Sequence, residues 1–105
     1  MQNGLKFSVG SGELVAHLSG EIDHHVAKGV REEIDARLFA ARPGVLILDF
    51  SAVRFMDSSG IALIMGRAEI SGEMGCRVKI TGLSRGLLKL VMLSGIPKIK
   101  NLTIE

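Results

Sequence analysis

Two alternating segments separated by glycines open the hydrophobic pattern of the chain. Residues 5–9 alternate apolar and polar side chains, residues 10–12 supply a Gly-Ser-Gly turn, and residues 13–18 alternate again until Gly20. This pattern predicts a β-hairpin whose second strand is closed by Gly20. In the first strand Leu5, Phe7 and Val9 share one face, and in the second strand Leu14, Ala16 and Leu18 share one face.

The spacing then changes from that of a strand to that of a helix. From Asp23 onward an apolar residue recurs at every fourth position, which predicts an amphipathic helix that ends at the Arg-Pro-Gly of residues 42–44. Its apolar stripe consists of Val26, Val30, Ile34 and Leu38. The following aliphatic run, residues 45–48, predicts a central strand that is covered on both faces and ends at Asp49.

The second half of the chain predicts two more helices and two more strands. After a connection over residues 51–56, a helix begins at Ser58 or Ser59 and ends at residues 72–75. Its inner face is predicted to carry Ile61, Ile64, Met65 and Ala68. A strand follows at residues 77–81.

A third helix, capped by Ser84, completes the helical complement. Its inward residues are predicted to be Leu87, Leu88, Leu90 and Val91, and a last short strand contains Ile99, Leu102 and Ile104. The order is β-β-α-β-α-β-α-β. We therefore expect a single α/β domain over residues 1–105, with a mixed central sheet and helices packed against it.

Polar residues gather where two strands of this sheet end. Because the carboxyl ends of parallel strands meet at one edge, residues 21–25 are expected to lie near residues 57–60. The Asp57-Ser58-Ser59-Gly60 run has two interpretations. The first is that these residues cap a helix, because Asp and Ser are common helix N-caps, and the spacing alone favours this interpretation. A hydroxyl at a helix N-terminus is also a suitable phosphorylation site, because free N–H groups and the helix dipole tolerate the added charge.

Other chemistries are less consistent with these residues. Asp23, His24, His25, Asp57 and Ser58 supply the residue types of a Ser-His-Asp triad, but a Gly-x-Ser-x-Gly elbow is missing and a carboxylate beside the serine opposes an oxyanion. The three histidines and the single cysteine lack the spacing of a metal site, and no phosphate-cradling glycine motif follows a strand. We therefore expect no catalytic residue, metal or cofactor.

The composition of the chain excludes several classes of partner. With four Phe and neither Trp nor Tyr, the chain lacks the stacking platforms of single-stranded nucleic-acid binders. It has no apolar run of about 18 residues, so we expect no membrane-spanning segment. A lone Cys76 suits a reducing compartment and is expected to be a small buried apolar residue. These features predict a cytoplasmic protein that binds neither nucleic acid nor membrane.

Four segments resemble a known family. GEIDHH at residues 20–25, VLILDF at 45–50, FMDSSGI at 55–61 and IMGR at 64–67 closely resemble the anti-sigma factor antagonists of the STAS domain family, especially its sporulation members. The combination of Gly-Glu-x-Asp-His-His with Met-Asp-Ser-Ser-Gly is far more specific than either piece. The resemblance covers nearly the whole chain, with the elements in the same order.

The resemblance implies a partner-switching protein without catalysis of its own. The unphosphorylated form would bind an anti-sigma factor that is also a serine kinase and so release the sigma factor. That kinase would phosphorylate Ser58, and a PP2C-type phosphatase would reverse the modification. The partner-binding residues implied by the family are Glu21, Asp23, His24, Asp57, Ser59 and Gly60.

Two alternatives of other classes remain at this point. The same fold could serve as a passive scaffold or accessory subunit, in stress regulation or lipid transport, with the two serines as helix caps only. A hydrolase that uses Ser58 ranks third. If the chain is a partner-switching protein, we expect it to be a monomer.

Overall fold

The computed structural model describes residues 4–105, and within that range the chain forms five strands, three α-helices and one 3₁₀ helix. In chain order these are β1 (Leu5–Gly10), β2 (Glu13–Ile22), α1 (Ala27–Ala41), β3 (Val45–Met56), α2 (Ser58–Glu73), β4 (Arg77–Thr81), α3 (Arg85–Met92), the 3₁₀ helix (Ile96–Lys98) and β5 (Leu102–Ile104). The predicted element order is confirmed, with the 3₁₀ helix as an addition that the sequence pattern did not indicate.

The five strands form one mixed sheet in the order β1-β2-β3-β4-β5. β1 pairs antiparallel with β2 through the predicted hairpin, and every later neighbour is parallel. The parallel register aligns Leu14, Leu46, Val78 and Leu102 across four strands. Because side chains alternate along a strand, this register gathers the core residues of all four strands on one face.

Only that face of the sheet is fully buried. Leu46 and Leu48 of β3 are completely inaccessible, whereas Val45 and Ile47, which point the other way, are half-buried. The prediction that this strand is covered on both faces is therefore wrong. The opposite face also carries polar residues such as His17 and Asp49, as expected for a sheet face that meets water.

β3 is much longer than predicted and includes residues 51–56, which the sequence pattern assigned to a connection. β2 likewise continues past Gly20 to Ile22. The register between the two strands shifts twice, between His17 and Ser19 and between Gly20 and Glu21, and at each shift β3 accommodates one extra residue. These bulges change the spacing of buried residues in β3 from two to three, at Phe50, Val53 and Met56. A spacing of three does not resemble a strand.

Helix α1 begins at Ala27, four residues later than the expected start at Asp23. The Asp23 carboxylate accepts hydrogen bonds from the backbone N–H groups of His25 and Val26, at 3.0 and 3.3 Å, which hold residues 23–26 in a turn. An Asp side chain that bonds the backbone two residues ahead stabilises a turn in place of a helix. The remaining stripe is confirmed, since Val30, Ile34 and Leu38 are buried.

Helix α2 begins at Ser58 as expected, but its buried face is rotated from the predicted one. Ile64 and Ala68 are buried, whereas Ile61 and Met65 are only half-buried and Leu63, Arg67 and Ser71 take the interior positions. The reason is a charged pair between the helices: Arg67 Nε lies 2.9 Å from Asp35 Oδ1 of α1. An ion pair allowed an arginine into a position that the pattern reserves for apolar residues.

Some apolar residues that were expected inside lie at the surface. In α3, Leu87 and Val91 are buried as predicted, but Leu88 is 38% exposed and Leu90 is similar. Ser84 does cap this helix, since its hydroxyl oxygen accepts a bond from the Leu87 N–H at 3.2 Å. Val9, beside the hairpin turn at the end of β1, is exposed as well. An eight-residue helix has only one narrow face against a sheet, so its other apolar residues remain outside.

Candidate functional site

The ends of β2 and β3 meet at one edge of the sheet, as the sequence predicted. Glu21 pairs with Phe55 and Ile22 with Met56. Beyond the pairing, the backbone N–H of Asp57 donates to the Ile22 carbonyl oxygen at 3.2 Å. The β2–α1 turn and the start of α2 are thereby held side by side, in a surface that we call the switch edge: residues 21–25 and 55–60.

The start of α2 exposes Ser58 without using its side chain for capping. Asp57 is the N-cap, and its carboxylate accepts a hydrogen bond from the Ser59 backbone N–H at 2.8 Å. Ser58 is the first helical residue and is exposed, while Ser59 is half-buried. The capping role expected for this run is therefore filled by Asp57. The Ser58 hydroxyl is available for another role.

Gly60 is buried directly behind Ser58, where it packs against Met56 at the end of β3. A Cβ built at residue 60 would overlap the Cγ and Sδ atoms of Met56. Met56 is itself buried, so it has no open space into which to retreat. The absence of a side chain at residue 60 permits the first turn of α2 to lie close against the end of β3.

The β2–α1 turn presents its histidines to solvent and uses its aspartate internally. Asp23 closes the turn through the two backbone hydrogen bonds described above. His24 and His25 are exposed, with ring centroids 4.1 Å apart. Glu21 is exposed at the end of β2. Of the loop residues implied by the family resemblance, Glu21 and His24 reach the surface most fully, and Asp23 shapes it.

A groove between the first turns of α1 and α2 adjoins the switch edge. It encloses about 260 Å³ and is lined by His24, Ala27, Lys28, Arg31, Ser59, Ala62 and Leu63. Lys28 and Arg31 make its α1 wall basic. The switch edge therefore joins an acidic rim, formed by Glu21 and Asp57, to a basic groove.

Phe55 is a surface residue of the site that the sequence analysis did not single out. It is 51% exposed and stands in register with Glu21. Its neighbours Val53 and Met56 are buried, so the second β3 bulge turns this one aromatic ring outward. The signal in the sequence is an aromatic residue two positions before the Asp-Ser-Ser motif, in a segment whose pattern predicts a connection.

A Ser-His-Asp chain does exist, but at residues different from those considered for a hydrolase. Ser8 Oγ lies 2.9 Å from His17 Nε2, and His17 Nδ1 lies 2.8 Å from Asp49 Oδ2. The three side chains link β1, β2 and β3 across the open face of the sheet. The Asp57 carboxylate, by contrast, is used to cap α2 beside Ser58. The geometry indicates a tie between strands at residues 8, 17 and 49.

The pKa of Asp49 reflects this tie. Burial opposes ionisation of the carboxyl group, but hydrogen bonds from the Ser51 backbone N–H, at 3.0 Å, and from His17 outweigh it and lower the pKa. Ionised Asp49 is therefore stabilised in the fold.

Other titratable groups in the interior are structural. Burial raises the pKa of Asp35, although Arg67 and Arg31 act in the opposite direction, and burial lowers the pKa of Arg67. Cys76 is buried as expected, and burial raises the pKa of its thiol. Residues 4–105 contain no cluster of three His, Cys, Asp or Glu side chains arranged to hold a metal ion. None of the helices in that range is both long and apolar enough to cross a membrane.

Comparison with known proteins gives the site its context. Residues 7–104 match the STAS domain family. An anti-sigma F factor antagonist of Paenibacillus polymyxa is 32% identical over 88 residues, which cover 84% of this chain and 75% of that protein. The structure of an anti-sigma factor antagonist from Mycobacterium paratuberculosis is 26% identical with a TM-score of 0.83, over 96% of this chain and 85% of that one. The phosphorylated form of the Bacillus cell fate determinant SpoIIAA is 25% identical with a TM-score of 0.74, over 97% and 91% of the two chains.

Proposed function

Since the chain belongs to the STAS domain family, we propose that it is an anti-sigma factor antagonist that phosphorylation of Ser58 switches off. The observation that carries the proposal is the exposed Ser58 hydroxyl at the first residue of α2, next to a cap that Asp57 already provides. Two relatives support it: one is named an anti-sigma F factor antagonist, and another has been solved in a phosphorylated form.

In the proposed cycle, the unphosphorylated switch edge binds an anti-sigma factor and thereby frees the sigma factor. The anti-sigma factor is also a serine kinase, which transfers the γ-phosphoryl group of ATP to Ser58 Oγ and leaves ADP. A PP2C-type phosphatase hydrolyses the phosphoserine to serine and inorganic phosphate. The antagonist acts as a monomer in the cytoplasm, where a lone buried Cys76 stays reduced.

Phosphorylation can block binding without refolding the domain. A phosphoserine adds about −1.5 to −2 charges, and the start of α2 tolerates them through its dipole. The kinase brings its own nucleotide phosphates to this serine, so the modified product faces like charge in the complex. Two unit charges 4 Å apart repel by about 4 kcal/mol at an effective dielectric constant of 20, which corresponds to about a thousandfold loss of affinity.

The switch edge also offers an apolar anchor. Phe55 exposes about half of its ring beside Glu21, and buried aromatic residues commonly dominate the binding energy of protein interfaces. We place Phe55 among the partner contacts, together with Glu21, His24, Asp57 and Ser59. Asp23 and Gly60 contribute by holding the turn and the helix start in position.

The phosphorylation site is tested by incubating the protein with its cognate anti-sigma kinase and ATP, then measuring intact mass and mapping the modified residue. The wild-type protein and Ser59→Ala should each gain one phosphate, and Ser58→Ala should gain none while still binding the kinase. Ser58→Asp should bind at least about a hundredfold more weakly, because it places one negative charge where the phosphate would lie. Phosphorylation of Ser58→Ala would show that the acceptor is another residue.

The binding surface is tested by a matched pair of exposed aromatic residues. Phe55→Ala should weaken kinase binding about tenfold or more, as expected for an aromatic anchor. Phe39→Ala removes a ring of similar exposure from the last turns of α1 and should leave the affinity within about twofold. Equal effects of the two substitutions, or none at all, would remove Phe55 from the interface. If Ser58→Asp also left the affinity for the kinase unchanged, the scaffold alternative would be favoured.

A further inference from the structure

The charges of this chain are strongly segregated along the sequence. Residues 1–73 carry ten acidic and seven basic side chains, whereas residues 74–104 carry six basic side chains and no acidic one. The six are Arg77, Lys79, Arg85, Lys89, Lys98 and Lys100. The formal net charge of +2 conceals this asymmetry. The part of the fold built from β4, α3, the 3₁₀ helix and β5 is therefore a basic lobe on an otherwise slightly acidic domain.

An apolar groove opens in the same lobe. It encloses about 420 Å³ and is lined by Leu88, Met92, Pro97, Leu102, Ile104 and Glu105. Leu88 is 38% and Met92 53% exposed, and Leu93, which follows α3, is 79% exposed. The six lining residues lie on α3, the 3₁₀ helix and the β5 segment, and we call the surface that they form the α3 groove. Contiguous apolar surface of this kind in a small domain commonly marks an interaction site.

The rim of the α3 groove is basic. Along α3, Arg85 precedes Leu88 by three residues and Lys89 precedes Met92 by three, so each cation neighbours a groove residue on the helix surface. Lys98 directly follows Pro97. The one acidic residue of the lining, Glu105, lies with its Oε2 atom 3.5 Å from Lys79 Nζ, so a cation also stands beside this carboxylate.

We propose that the α3 groove binds an amphipathic helix of a partner protein, with apolar side chains on one stripe and acidic residues beside it. A helix can insert side chains spaced by three and four residues into such a groove. The basic rim supplies charge complementarity to the acidic flanks and selects against basic helices. The groove is concave, which suits a helix better than a membrane, since membrane-surface binding needs a protruding apolar face.

This surface lies outside the switch edge. None of its lining residues is Ser58 or a residue assigned to the anti-sigma factor interface, and the proposal does not depend on phosphorylation. A partner on the α3 groove could therefore be bound while Ser58 is exchanged between kinase and phosphatase.

The test titrates the ¹⁵N-labelled protein with two synthetic helical peptides of about 18 residues, a length that supports helix formation. Both carry leucine at positions i, i+3, i+4 and i+7. One has glutamate at flanking positions and the other lysine. The glutamate peptide should shift amide signals of α3, the 3₁₀ helix and β5, and should bind at least about tenfold more tightly than the lysine peptide.

Matched charge reversals locate the contact. Arg85→Glu combined with Lys89→Glu should weaken the glutamate peptide about tenfold and reverse the preference between peptides. Lys6→Glu, on the far strand β1, changes an exposed cation in the same way and should leave the affinity within about twofold. All three residues are exposed, so neither variant should disturb folding.

Four results would overturn the proposal. These are equal binding of both peptides, signal shifts centred on α2, binding to phosphatidylserine vesicles with no binding to either peptide, and self-association through α3 that excludes the glutamate peptide. Vesicle binding would identify a lipid surface as the occupant. Self-association, read by sedimentation, would identify a second copy of the chain.

Discussion

The contact between Gly60 and Met56 predicts that two chemically identical substitutions in one helix have opposite effects. Gly60→Ala places a methyl group on the Cγ and Sδ atoms of buried Met56. Gly66→Ala, two turns later in α2, meets no atom within 4 Å. We expect Gly60→Ala to destabilise the domain relative to Gly66→Ala and to displace the start of the helix that carries Ser58.

The magnitudes follow from the two surroundings. Replacing glycine by alanine inside a helix is favourable by about 1 kcal/mol, so Gly66→Ala should raise the free energy of unfolding by up to that amount. The same gain at residue 60 is opposed by an overpacking cost of about 1–3 kcal/mol, because the affected atoms lie near the root of a side chain that cannot swing into solvent. The two variants should differ by about 2 kcal/mol.

Urea unfolding followed by circular dichroism measures this difference, since the chain has no Trp or Tyr for intrinsic fluorescence. A double-mutant cycle with Met56→Ala isolates the contact. Met56→Ala alone should cost about 2–5 kcal/mol, but in the Gly60→Ala background it should cost less by the relieved overlap, about 1–3 kcal/mol.

The same two glycine variants also test the effect on phosphorylation of Ser58. Gly60→Ala should slow phosphorylation of Ser58 by the cognate kinase, while Gly66→Ala should not. The reasoning would be refuted if Gly60→Ala were as stable as Gly66→Ala, or if the cycle with Met56→Ala were additive. Either result would mean that the close approach of helix and strand at Gly60 is not a constraint.

Two further predictions concern charged groups. Asp35→Ala should lower the free energy of unfolding by about 3 kcal/mol, because it leaves Arg67, which is 3% exposed, without a counter-charge. Arg67→Met should cost less, since the partly exposed Asp35 keeps access to water. Thermal unfolding of the two variants measures which of them is less stable. The lowered pKa of Asp49 should add stability at pH values above its ordinary value of 3.8, and this is lost as the pH falls through the lower value in the fold. The wild-type advantage over Asp49→Asn in urea unfolding should accordingly be larger at about pH 7 than at about pH 3, and a constant difference would contradict the lowered pKa of Asp49.

Regular patterns made most of the fold predictable, and the departures occur where two patterns overlap. The segments 13–18 and 77–81 alternate regularly between apolar and polar residues, and both lie in strands of the sheet. The pattern does not predict the outer half of β3, because its bulges place buried residues at Phe50, Val53 and Met56, a spacing of three in place of the alternation of a strand. A bulge depends on the neighbouring strand, so one segment alone does not reveal it.

The candidate site was more predictable in its location than in its composition. Parallel strand ends had to meet at one edge, so the closeness of residues 21–25 and 57–60 followed from topology. The topology does not determine which of these residues caps the helix and which remains exposed. That Asp57 caps α2 while Ser58 stays exposed depends on which of three adjacent polar side chains turns inward. The exposure of Phe55 depends on the same bulge that hid the strand.

The length of β3 has a consequence for how the domain avoids aggregation. β4 pairs with β3 only from Val45 to Asp49, so residues 51–56 are paired with β2 alone. A strand half with an unpaired backbone edge is a template for edge-to-edge association. Here the two bulges twist that edge and Arg54 places an exposed charge on it, which are devices that keep sheet edges from joining. We expect these devices to keep the outer half of β3, which leads into Ser58 at the start of α2, from pairing with a second copy of the chain.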